Sequence, residues 1–135
     1  MSGIDDTTKG ALCGAPFLIL AWASLAGAAG VALTAVAAHK GDSPALATAA
    51  TMLTLHAAAA VGIIAVARHA PRPCLWSAVA GVMLAGTSIF GGEIAFHTLT
   101  ENAAFRMLAP VGGALMIASW LGLAVLAFVS AFGKR

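Results

Sequence analysis

Charge is scarce in this chain, and what there is never clusters. Of 135 residues only 9% are charged, with five acids against seven lysines and arginines. A nucleic-acid footprint needs a basic patch or stripe, and the basic residues here stand one or two at a time. Acids are too few for a paired-carboxylate catalytic site, since Glu93 is the one acid within an apolar stretch. The two cysteines, Cys13 and Cys74, each precede an apolar stretch on the same expected side, and free thiols are expected there. No Gly-rich phosphate loop, His-Glu-x-x-His segment or Cys-x-x-Cys pair occurs. These absences leave no visible nucleophile with a base beside it, so the chain is read as not an enzyme.

What remains is apolar. Hydrophobic residues make up 61% of the sequence and the mean hydropathy is +0.97. They gather into stretches at about 16–38, 45–67, 75–96 and 107–132. A hydrocarbon core about 30 Å thick needs about 20 helical residues at 1.5 Å each, so every stretch is long enough to cross. The expected fold is all-α: an integral membrane four-helix transmembrane bundle, with residues 1–15 a mobile cytoplasmic tail and 16–135 a single domain. The Ala35-Val36-Ala37 run has the small-x-small pattern of a signal cleavage site. Its apolar core, however, exceeds the 7–15 residues of a signal h-region, so a retained first span is expected. Cys13 has no apolar run before it, which argues against a lipidated N-terminus.

Orientation follows the basic residues at the span ends. Lys9, Arg68, Arg72, Lys134 and Arg135 fall on one side, Lys40 and Arg106 on the other. Both termini are therefore expected in the cytoplasm, with Trp22 and Trp76 in the interfacial belt on that side. Within span one, Gly27, Gly30, Thr34 and Ala38 offer small residues for close helix approach, the last three at four-residue steps. Ser43-Pro44 reads as an N-cap and first-turn pair. Span two, rich in alanine and poor in leucine and phenylalanine, belongs inside the bundle. Arg68-His69-Ala70-Pro71-Arg72-Pro73 ends it and makes spans two and three antiparallel neighbours. Pro110-Val111-Gly112-Gly113 is expected to loosen or kink the first turn of span four.

Polar side chains at membrane depth are costly, so each needs a reason. Counted from Pro44, His56 lies about 18 Å into its span, near the midplane and level with Thr87, Ser88, Ser119 and Trp120. It is read first as a neutral histidine bonded to one of those hydroxyls, tying two helices together. The sharper alternatives are a haem or metal ligand or a proton carrier. Glu93 and His97, four residues apart on one helix face, lie at the end where His39 closes span one. Those three are the candidate metal ligands, against a partly solvated Glu–His or Glu–Lys40 pair. His39 and His56 are the cofactor-binding candidates, although nothing in the spacing requires a cofactor and none is expected. His69, in the turn, should face water.

The order of several short segments is similar to that of a known membrane family. Ala37-Ala38-His39-Lys40 looks like a shortened Gly-Ala-His-x-Leu-Lys segment, and Thr51–Ala57 matches a span-two segment ending in His-Ala without its usual Tyr-Gln. Phe90-Gly91-Gly92-Glu93 resembles Phe-Ser-Gly-Ser or Phe-Ser-Gly-Asp. Pro110-Val111-Gly112-Gly113 with Ser119-Trp120-Leu121 resembles Pro-x-Gly-Gly and Gly-Trp-Leu. Together, from His39 onward, they resemble the domain of unknown function 423 family, which includes bacterial inner-membrane proteins and the animal transmembrane protein 256. The resemblance implies the four-span fold and a bacterial inner membrane. It marks His39, His56, Gly92 and the Pro110–Gly113 turn as family positions, does not carry over His97, and brings no reaction with it.

Three functions follow in order. The first is an accessory or assembly component of a membrane complex, its partners being lipid, other subunits or a second copy. The second is a small transporter or channel lined by His56, Thr87, Ser88 and Ser119. The third is a haem- or metal-carrying membrane subunit.

Overall fold

The computed structural model describes residues 5–39, 43–102 and 104–133, with side chains described from residue 15 onward. Lys40, Lys134 and Arg135 lie outside the described residues, as does the side chain of Cys13. Four helices follow in order: α1 (Asp5–His39), α2 (Pro44–Ala67), α3 (Pro73–Thr100) and α4 (Leu108–Phe132). All four are long and apolar enough to cross a membrane, α1 from Ala15 onward. Helical structure in α1 extends upstream to Asp5, with Pro16 inside it.

Local chemistry sets the helix ends. Ser43 caps α2 in extended backbone, its hydroxyl accepting from the Leu46 amide at 3.5 Å, and Pro44 takes the first-turn place where no amide hydrogen is needed. At the other end, the turn carrying Pro71 and Pro73 separates Ala67 from the start of α3. Arg72, between those prolines, is left-handed at φ 59°. Helix α3 runs four residues past the expected Phe96, because no proline or glycine stops it before Thr100. It closes on Glu101, which is also left-handed, at φ 56°. A left-handed residue with a Cβ is strained by about 1–2 kcal/mol, and glycine there regains flexibility in the unfolded chain. Glu101→Gly is therefore expected to stabilise the bundle by about 0.5–1 kcal/mol, read as a higher thermal midpoint in detergent. A midpoint below that of Glu101→Ala would show that no strain is relieved.

Pro110 does not interrupt α4, which runs unbroken from Leu108 to Phe132. It occupies the third position of the helix, where the amide of any residue lacks an intrahelical acceptor, so its missing hydrogen removes nothing.

The helices pack in chain order, α1 on α2, α2 on α3 and α3 on α4, with a lesser contact between α1 and α3. Among the described residues, α4 has close backbone approach to α3 alone. The alanine-rich α2 is the most enclosed helix: 44% of its apolar window is buried, against 11% for α4. Its buried residues Leu46, Leu53, Ala60 and Ala67 repeat every seven, with Ala49, His56 and Ile63 between them. That period of 3.5 residues is the one that keeps a seam facing its neighbour along left-handed helix packing.

The buried stripe of α1 follows the same period, through Ala23, Ala26, Gly30 and Ala37. This corrects the four-step register. Thr34 and Ala38 are exposed, because each four-residue step advances about 40° beyond a full turn. Alanine and glycine on this stripe bring the backbones together. A Cβ on Gly30 would strike Thr54 Oγ1 and lie 2.9 Å from the Ala50 carbonyl.

The α3–α4 seam is close as well. A Cβ on Gly86 would lie 2.8 Å from Leu115 Cβ and 2.9 Å from the Gly112 carbonyl. One on Gly112 would lie 2.6 Å from both the Gly86 carbonyl and the Phe90 amide nitrogen. Two glycines thus face one another where α3 and α4 meet, as lipid-embedded helices require when close packing replaces the hydrophobic drive.

Candidate functional site

The polar layer at mid-bundle is built mostly from hydroxyls that bond their own helix. Thr54 donates to the Ala50 carbonyl at 2.9 Å, and Ser119 donates to that of Leu115 at 2.7 Å. Thr34, Thr48 and Thr51 do the same one turn back. A hydroxyl in lipid satisfies itself this way without fixing a second helix in register. Thr87 and Ser88 differ: Thr87 is fully buried with its Oγ1 unpartnered, and Ser88 takes a bond from another helix.

His56 therefore takes a partner other than the hydroxyl expected for it. Trp120 Nε1 on α4 donates to His56 Nε2 at 3.3 Å, with the rings edge-on at 67°. An indole nitrogen only donates, so Nε2 is the acceptor and the ring proton sits on Nδ1. Nδ1 then donates to the Met52 carbonyl at 2.8 Å. The imidazole is buried with both nitrogens engaged. The α2 and α4 backbones do not approach closely, so this tie depends on two long side chains reaching toward each other.

A second indole makes a matching tie. Trp22 Nε1 on α1 donates to Ser88 Oγ on α3 at 3.2 Å. The interfacial belt is corrected at Trp76. Trp22 is only 39% exposed and bonds inward, while Trp76 is buried in the core with its Nε1 unpartnered. Trp76 belongs to the same buried core as the small residues Ala67 and Ala80. Sequence reasoning missed Trp22–Ser88 because it placed Trp22 in the interfacial belt and Ser88 near the midplane, at different depths.

The candidate metal ligands do not gather. Among the described residues, no group of three or more His, Cys, Asp or Glu side chains is placed to hold a metal ion. Glu93 and His97 share α3 one turn apart. His39 is exposed at the end of α1, its Nδ1 bonded to the Ala35 carbonyl at 2.8 Å. Of the haem candidates, His39 keeps Nε2 for a ligand, whereas an iron at His56 Nε2 would have to displace Trp120. His69 is exposed in the turn, and Cys74 is an exposed free thiol.

Four lipid-spanning helices, drawn together by glycine seams and crossed by two indole ties, define a small multi-pass membrane protein. The chain belongs to the family described as protein of unknown function (DUF423), whose sequence model matches residues 26–113. The match takes in His39, His56, the Phe90–Glu93 segment and the Pro110–Gly113 turn, and ends before Ser119-Trp120-Leu121. No solved structure matches the chain.

Proposed function

We propose that the protein is a non-enzymatic accessory or assembly component of a larger membrane complex, in a bacterial inner membrane with both termini cytoplasmic. The observation that carries this reading is the engagement of His56. The one histidine at mid-membrane depth has both nitrogens bound inside the bundle, which suits a structural tie better than an open ligand site. Helix α4 adds support, since its backbone lies close to α3 alone among the described residues and it leaves Leu121, Val125 and Phe128 exposed along its length. Purification in mild detergent is expected to recover further subunits or a second copy with the protein. A bare monomer that cross-linking in native membranes also fails to connect to any protein would sink the proposal.

A small transporter is the second reading, favoured by Thr87. A buried hydroxyl without a partner, at the depth of His56, is what a polar route would leave between substrates. It requires His56→Ala to abolish flux into liposomes, and unchanged flux removes it. A haem-carrying subunit requires a Soret band in the purified protein.

A further inference from the structure

Two cavities adjoin at the end of the bundle where α2 turns into α3 and α4 finishes. One, of about 410 Å³, is lined by Arg72, Leu126, Val129 and Gly133. The other, of about 620 Å³, is lined by Ala65, Val66, Trp76, Ala127 and Ala131. They share His69, Pro71 and Ser130. The first brings a guanidinium, an imidazole and a hydroxyl to the membrane surface. The second is an apolar groove between the last turns of α2 and α4, with Trp76 of α3 contributing to its wall.

The groove exists because α2 and α4 both lie against α3 without approaching each other. Alanines at 65, 127 and 131 keep it open where larger side chains would fill it. We propose that the pair of cavities binds one anionic phospholipid, its phosphate at Arg72, His69 and Ser130 and an acyl chain in the groove beside Trp76. Charge complementarity selects the occupant. Arg68 and Arg72 stand exposed in this turn, and the sequence continues after Gly133 with Lys134 and Arg135. Basic pockets between membrane helices at the bilayer surface are suited to acidic headgroups. Pro71 and Pro73 flank Arg72 and restrict the backbone of the turn that carries it.

Native mass spectrometry of the full chain from detergent tests this, with dioleoyl-phosphatidylglycerol and dioleoyl-phosphatidylcholine supplied in equal amounts. The phosphatidylglycerol adduct is expected to dominate. Arg72→Gln should weaken it by about fivefold, the effect of one basic side chain near an anionic surface, and Arg72→Lys should restore most of it. Ala127→Phe, which changes no charge and sits on an exposed face, should weaken it by obstructing the groove. Equal retention of the two lipids would overturn the proposal. So would displacement by inorganic phosphate, which would mark an anion site without an acyl chain. Adducts indifferent to both Arg72→Gln and Ala127→Phe would place the lipid elsewhere.

Discussion

Gly112→Ala is expected to destabilise the bundle by about 2–3 kcal/mol, while Gly113→Ala, one residue later, is expected to leave it unchanged or stabilise it by up to about 1 kcal/mol. Both positions lie in the first turns of α4, so helix propensity favours alanine equally at each. The difference is the space. A Cβ at Gly112 meets backbone atoms of Gly86 and Phe90 at 2.6 Å, and backbone cannot swing aside as a side-chain tip can. At Gly113 nothing lies within 4 Å. Relief requires α4 to move off α3, the one helix among the described residues that its backbone approaches closely. Gly86→Ala should repeat the loss, because its Cβ meets the same crossing from the other side. Unfolding in mixed micelles with increasing dodecyl sulfate, followed by circular dichroism, separates the variants. Equal midpoints for Gly112→Ala and Gly113→Ala would show that the two helices do not meet at these glycines.

His56→Ala is expected to cost about 2–3 kcal/mol, combining a cavity at a buried position with an indole N–H left without its acceptor. The cavity part falls on α2 alone, whereas the hydrogen-bond part is shared with Trp120. A double-mutant cycle with Trp120→Phe isolates the shared part. Interhelical hydrogen bonds in membranes average about 0.6 kcal/mol and reach about 1.7 kcal/mol, so the coupling should lie in that range. The Trp22–Ser88 bond, with its donor 39% exposed, should sit at the lower end. Additive effects of His56→Ala and Trp120→Phe would mean that the tie between α2 and α4 carries no stability.

The architecture was legible because lipid imposes it: a long apolar run must be a helix, and basic turns and prolines mark its ends. The enclosure of α2 was legible for a related reason, since alanine has little to offer to lipid but permits close neighbours. Register was harder. Gly30 was readable as a contact residue, but whether the stripe continues through Thr34 or Ala37 depends on how the helices wrap, which a single helix does not encode. The facing of Gly86 and Gly112 depends likewise on two helices being neighbours, and small residues are also plentiful where no helix packs.

The polar layer shows the same division. Counting residues from the span ends placed Trp120 beside His56 in depth, because helical rise is fixed. It did not choose the indole over the hydroxyls, since that choice turns on Ser119 finding a carbonyl on its own helix. For His39, Glu93 and His97, depth was again readable, but convergence needs rotation of α1 and α3 about their own axes. Packing sets that rotation, and here it keeps them from forming a cluster.

Among the described residues the backbone of α4 approaches only that of α3 closely, and this has a consequence for biogenesis. As the chain is made from its N-terminus, α1, α2 and α3 can complete every contact they make with one another before α4 leaves the ribosome. The last helix then enters beside a finished three-helix unit whose Gly86 already offers it a docking point. Its arrival closes the bundle without rearranging what came before.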